Sequence, residues 1–156
     1  MPGYGIVGPD EGTGLLPWSW AVERLIASHD YWLATTCPDG RPHVMPVWGV
    51  WLDDALWFSS GLRARKARNL AHDPRCTLTT DNPFEPVVLD GAAERTIDLP
   101  TIARFAAAVD AKYGTAYGPD FYDPDQNACL RVAPTTVFAL DEKDFTGSPT
   151  RWWPAR

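Results

Sequence analysis

The residues best placed to do chemistry lie in one stretch, Phe58-Ser59-Ser60-Gly61-Leu62-Arg63-Ala64-Arg65-Lys66-Ala67-Arg68-Asn69-Leu70. Four of the chain's 14 Lys and Arg residues fall between Arg63 and Arg68, although its net charge is −6. The pattern reads as the end of a strand, a Ser/Gly turn and the start of a helix. Cations in the first turns of a helix oppose its macrodipole, which favours acidic groups there. The same helix start presents free N–H groups, a ready seat for phosphate. Arg offers a bidentate fork to phosphate oxygens and Lys a point charge, so the chemistry on offer is anion binding. A solvated basic face is the plain alternative, and the neighbouring segments decide between the two.

Other reactive residue types are present without a pattern. No Ser/His/Asp triad and no carboxylate pair is evident. Cys37, Cys76 and Cys129 are far apart, with no Cys/His ligand spacing, which argues against a structural zinc. Cys37 sits at a turn, where a reactive thiol is one reading. His43 begins a strand beside a turn, a surface position more often than an acid. His29 and His72 fall at helix C-terminal ends, where an imidazolium suits the dipole. Tyr113, Tyr117 and Tyr122 are candidates for a substrate pocket, with packing the commoner role.

The elements that must position these residues can be read in order. Residues 1–17 are Gly/Pro-rich and form an irregular arm. A helix is predicted over Trp18–Ser28, with Trp18, Val22, Leu25 and Ile26 at helical spacing. Tyr31–Thr36 reads as a strand, Pro38-Asp39-Gly40-Arg41 as a turn, and His43–Leu52 as the second arm of a hairpin. That second strand is apolar on both faces and contains Pro46, which cannot donate to a ladder. Pro46 therefore implies an edge or a bulge, leaving backbone groups of Pro46–Trp48 free for something other than a strand. Asp53-Asp54 makes a tight turn into a third strand, Ala55–Ser59, and the basic helix is predicted over Leu62–His72, ending before Asp73-Pro74.

Strands follow at Arg75–Asp81 and Val87–Ile97, the latter with a bend at Gly91. A helix spans Leu99–Tyr113, with Asp98 as N-cap and Gly114 as stop. Tyr117–Asn127 reads as a loop. Cys129–Ala133 and Thr136–Leu140 are two strands, or one bent at Pro134. About six short strands joined by hairpins imply an antiparallel sheet, and the two-sided second strand implies closure into a small barrel with flanking helices.

Composition narrows the function class. At 156 residues one domain is expected. The acidic balance argues against general binding to nucleic acid or an anionic membrane. There is no signal-peptide pattern and no apolar run long enough to span a bilayer, so a cytoplasmic protein with reduced thiols is expected. Eight Trp residues suit a dimer interface or a planar ligand. Trp48 and Phe58 can supply flat apolar walls for such a ring.

Taken together, these segments resemble a family, the pyridoxamine 5′-phosphate oxidase-like split β-barrels, and within it the flavin/deazaflavin oxidoreductases. The matching residues are Ala34-Thr35-Thr36, Pro38-Asp39-Gly40-Arg41-Pro42, Pro46-Val47-Trp48, Leu56-Trp57-Phe58-Ser59-Ser60, Arg65-Lys66-Ala67-Arg68-Asn69-Leu70 and Asp73-Pro74-Arg75. The resemblance covers about residues 18–140. It implies a mainly β, six- to seven-stranded antiparallel split barrel of the FMN-binding type over residues 18–145. It also implies a homodimer with cofactor sites at the subunit interface.

By the same resemblance Arg65 and Lys66 hold the cofactor phosphate, supported by Ser59 and Ser60, and Met45, Pro46, Val47 and Trp48 line the ring. The tail, residues 146–156, reaches the interface and brings Arg151 and Trp152 to the partner's cofactor, though its ending diverges from the family pattern. The activity implied is hydride transfer from a deazaflavin, coenzyme F-420, to a small unsaturated or aromatic substrate, with the redox chemistry supplied by the cofactor. An FMN-dependent oxidoreductase or flavin reductase needs the same parts; a flavin- or haem-binding protein without turnover is the alternative from another class. Pyridoxamine phosphate oxidation itself needs a second basic phosphate site, and no second cluster is evident.

Overall fold

The structure is a computed structural model that describes residue 5 and residues 11–154. The N-terminal arm falls largely outside the described residues, and residues 11–17 carry no helix or strand. Seven strands form one antiparallel sheet: β1 (Asp30–Thr36), β2 (Pro42–Leu52), β3 (Ala55–Gly61), β4 (Arg75–Thr80), β5 (Val87–Thr96), β6 (Asn127–Ala139) and β7 (Thr150–Trp152). Their order is β3-β2-β1-β4-β5-β6-β7, and a further β3–β6 pairing closes the first six into a barrel. β7 adds a strand to β6. The helices α1 (Trp18–Ala27), α2 (Arg65–His72) and α3 (Leu99–Tyr113) flank it. A mainly β split barrel is what the hairpin spacing and the resemblance led one to expect.

The closure is incomplete along β2. Residues 42–48 pair with β1 on one side, but the β2–β3 ladder begins only at Gly49↔Phe58. The far end of β3 pairs instead with β6, from Leu56↔Val132 to Gly61↔Asn127. The edge expected from Pro46 is this open half of β2. Backbone groups of successive residues point to alternate sides of a strand. Gly49 N–H donates to the Tyr113 hydroxyl oxygen, and the Gly49 C=O and the His29 C=O just before β1 both accept from that hydroxyl. Trp48 and Pro46, the latter with no N–H, therefore direct their backbone the other way, toward the split.

Strand alternation sorts the side chains of β3. Leu56 and Phe58 are fully buried inside the barrel with Tyr31, Leu33, Leu78 and Leu89. Ala55 and Trp57 face a second cluster with Val50, Ile102, Phe105, Val109 and Tyr122 beneath α3. That outward cluster explains why β2 reads as apolar on both faces. β5 and β6 slip register at Asp90/Gly91, opposite Pro134, so the last long segment is one bent strand rather than two. A Cβ on Gly91 would lie 2.6 Å from the Ala133 oxygen, so the bend needs glycine there.

One local difference from the sequence reading matters. α2 starts at Arg65, not Leu62, because Gly61–Ala64 closes a turn in which Ala64 N–H donates to Gly61 C=O. α3 keeps its predicted bounds, with the Asp98 carboxylate accepting from Thr101 N–H at 2.9 Å and Gly114 at φ 66°. The β2–β3 turn holds Asp53 and Asp54 at φ 50° and 53°. That conformation costs a side-chain-bearing residue up to about 1 kcal/mol and suits Gly at the second position. Asp54→Gly is expected to raise the thermal midpoint by a degree or two, read by calorimetry, with ~0.5 kcal/mol gained.

Candidate cofactor cleft

The N-terminal turn of α2 sits beside the split. Its N-cap, Ala64, offers no side-chain hydrogen bond, and no acidic residue occupies the first turn. Among the described residues none of Arg63, Arg65, Lys66 and Arg68 forms an ion pair. The helix is fixed from behind. Asn69, buried, donates from Nδ2 to Thr35 Oγ1 at 3.0 Å and to Cys37 Sγ at 3.6 Å, and Leu70 is buried in the barrel. Asn69 and Leu70 thus pack the helix against the barrel, and Cys37 is a buried acceptor rather than an exposed thiol.

A cleft of about 320 Å³ opens at this place, lined by Pro46, Val47, Trp48, Ser59, Lys66 and the aromatic residues Phe105, Tyr117, Phe121 and Tyr122 with Val109. Five residues expected at the cofactor are therefore brought together: Pro46, Val47, Trp48, Ser59 and Lys66. Arg65 faces elsewhere. It lines a separate hollow with Arg41, Arg68, Cys37, Pro38, Asp39 and Asn69. Met45 lies exposed further along the open edge and does not line the cleft.

Two expected residues turn inward. Phe58 has no exposed surface and packs inside the barrel, so its side chain is not a wall of the cleft; only its strand neighbour Ser59 is. Ser60 points the same way as Phe58, and its buried hydroxyl has no hydrogen-bond partner among the described residues. A buried hydroxyl without a partner costs rather than adds stability. Ser60→Ala is expected to leave urea stability unchanged or raise it by about 1 kcal/mol.

Arg151 and Trp152 do not meet the cleft within one chain. β7 pairs with β6 from Ala139↔Thr150 to Val137↔Trp152. Trp152 stands edge-on to Trp18 at 5.6 Å, and Trp18 to Trp51 at 6.3 Å. Arg151, exposed, lines a hollow with Trp18, Arg131, Pro134 and Trp153 that shares no residue with the Lys66 cleft. A site containing both Lys66 and Arg151 would need a second copy of the chain.

The sequence reading missed what holds Trp48. Tyr113 stacks on it at 4.2 Å, nearly parallel at 2°, and anchors itself through the Gly49 and His29 backbone. Gly49 is needed here, because a Cβ would come within 3.2 Å of the Tyr31 ring. Lys112 adds a charged brace, donating from Nζ to Gly49 C=O at 2.8 Å and to Tyr31 Oη at 3.0 Å. Burial pulls the Lys112 amine from 10.5 down to about 8, partly offset by Asp81 and Asp30. Burial also pushes the Tyr113 hydroxyl up to about 12.

A depressed lysine pKa means the unfolded chain binds more protons than the folded one between the two values. Stability from this group therefore rises with pH from about 8 toward 10.5. The thiols of Cys76 and Cys129, pushed up to about 12 from 9.0 by burial, oppose it above their ordinary value. The comparison with Lys112→Met isolates the lysine: the parent should gain on the variant across that window, in urea midpoints taken in pH steps.

The closed six-stranded barrel with an open half-strand and a basic helix at the split defines a split-barrel protein. The family profile of pyridoxamine 5′-phosphate oxidase matches residues 21–141, and the chain belongs to that family. A comparison with curated protein sequences finds no match. Among solved structures, a conserved hypothetical protein from Mycobacterium tuberculosis superposes with a TM-score of 0.74 at 21% identity, covering 83% of this chain and 87% of that one. An F-420 reductase superposes at 0.62 with 24% identity, over 78% of this chain and 98% of that one. A haem-binding protein from Mycobacterium smegmatis gives 0.66 and 24%, over 88% of this chain and 59% of that one. At these identities the likeness is one of fold. In the described residues no helix is long and apolar enough to cross a membrane, and no group of His, Cys, Asp and Glu is set to hold a metal.

Proposed function

We propose that the protein is an oxidoreductase that binds a deazaflavin, coenzyme F-420, and serves hydride transfer to a small unsaturated or aromatic compound. The observation that carries this reading is the convergence of Lys66, Ser59 and the open edge Pro46–Trp48 on one cleft. A phosphate needs a cation and donors, and a planar ring with polar edges needs unpaired backbone groups beside an aromatic side chain. Lys66 neutralises the phosphate, the Ser59 hydroxyl and the free groups of Pro46 and Trp48 hydrogen-bond the ligand, and Trp48 gives an aromatic flank. When bound, the cofactor supplies the hydride; the chain's own residues bind and orient it. FMN would use the same groups, so titration of the purified protein with each cofactor, read by fluorescence, decides the ring. Micromolar binding of F-420 with none of FMN supports the proposal, and the reverse result replaces it with the flavin reading. If either cofactor binds but no reductant or acceptor cycles it, the role is binding alone.

The active species in this reading is a cytoplasmic homodimer. Trp32, Val44, Pro46 and Trp48 share the outer face of β1 and β2, with Trp32↔Pro46 and Ala34↔Val44 directly opposite, and all four side chains are exposed. An apolar face of that kind fits a second copy, which could also bring Arg151 and Trp152 to the cleft. Light scattering is expected to give twice the chain's mass, and Trp32→Glu to return the single-chain value.

A further inference from the structure

Lys112 is a cation set apart from the basic run of α2. It sits on the last turn of α3, half-buried, and forms no ion pair among the described residues. Its Nζ donates to Gly49 C=O at 2.8 Å and to Tyr31 Oη at 3.0 Å. It stands 4.8 Å from the centroid of the Tyr31 ring and 5.3 Å from that of Tyr113. The Tyr31 hydroxyl in turn donates to Leu25 C=O, so one amine joins α3, β2, β1 and α1. An ammonium withdrawn from water without a carboxylate partner opposes folding, and the fall of this amine to about 8 is the mark of it. A methionine would fill the same space without that cost. The lysine therefore needs a reason other than stability.

The carbonyl that Lys112 holds is the last fixed point of β2 before its open stretch. β1 pairs with β2 only as far as Asp30↔Trp48, and β3 joins β2 only from Gly49↔Phe58. Gly49 thus lies one residue past the end of β1. Tyr113 and Lys112 stand in for the missing strand: the Tyr113 hydroxyl serves both backbone groups of Gly49, and Lys112 adds a second donor to the carbonyl. Both come from α3, which is rooted in the outer cluster through Ile102, Phe105 and Val109. Glycine restricts its own φ and ψ least of all residues, so these donors, not a side chain, fix the peptide plane. Pro46, Val47 and Trp48, which line the Lys66 cleft, immediately precede it.

We infer that Lys112 is a positioning residue for the cofactor cleft: by holding the Gly49 carbonyl it sets the direction in which Pro46–Trp48 face the ligand, while its own side chain lies outside the cleft. This rests on the cofactor reading above, and it adds to that reading a residue that touches no part of the cofactor.

The test titrates F-420 and FMN against the full chain by fluorescence, with urea midpoints of the same samples at pH 7. For the cofactor that binds, Lys112→Met is expected to weaken affinity at least fivefold while the urea midpoint stays level or rises. A purely structural residue would lower both together. Trp48→Ala removes the ring that the edge presents, so in that background Lys112→Met should change affinity less than twofold. In the Lys66→Ala background, which lacks the phosphate cation, it should keep its full fivefold effect. The inference is overturned if Lys112→Met binds as the parent does, if its affinity and urea midpoint fall together, or if its effect is the same in the two backgrounds. The cofactor reading fails separately, if Trp48→Ala and Lys66→Ala both bind as the parent does or if the parent binds neither cofactor; the cleft is then not the site and Lys112 has nothing to position.

Discussion

Lys66→Ala is expected to weaken F-420 binding by about 10- to 150-fold, the 1.5–3 kcal/mol of a hydrogen bond to a charged group. Arg65→Ala should cost no more than about fivefold, the reach of an exposed charge. The asymmetry follows from geometry. Residues adjacent on a helix point about 100° apart. Lys66 lines the cleft with Pro46–Trp48, and Arg65 lines the hollow with Arg41 and Arg68. Fluorescence titration of both variants checks it. Equal losses would show that the ligand's anion straddles the first turn of α2, and no loss from Lys66→Ala would remove the phosphate assignment altogether.

Phe58→Ala should destabilise the fold by about 3–5 kcal/mol, the cost of emptying a large aromatic site in a packed core. The residue has no exposed surface and packs within the barrel beside Tyr31, Leu33 and Leu56. The conservative Phe58→Leu should cost less than about 2 kcal/mol and leave cofactor affinity unchanged. Urea unfolding and titration of the same samples separate the two effects. A Phe58→Leu protein that is stable yet binds no cofactor would return Phe58 to the site.

Local signals made much of the fold legible. Asp98 and Gly114 bracket α3 because capping is chemistry written into single residues. Pro46 marked the open edge and Pro134 the bend in β6 for the same reason: a missing donor restricts where the chain can run. The direction of side chains was harder. On a strand apolar on both faces the pattern does not say which parity looks inward, so Phe58 and Ser60 read as site residues when the barrel claims both. The Tyr113–Trp48 stack joins α3 to β2 across 64 residues of sequence at Gly49, a distance no local pattern spans. Lys112 was equally silent, since the groups it holds, on Gly49 and Tyr31, come from two strands far off in sequence.

The proline in the open half of β2 has a consequence for how this protein keeps its own company. An unpaired strand edge is a template on which a foreign strand can add, the first step toward fibres. Here that edge runs beside exposed Trp32, Val44 and Trp48, an apolar face that would reward such an addition. Pro46 has no N–H to offer at the side where the edge is free, so a strand arriving there finds one rung of the ladder missing. The residue assigned to the ring in the proposed function thus also acts as a gatekeeper against aggregation.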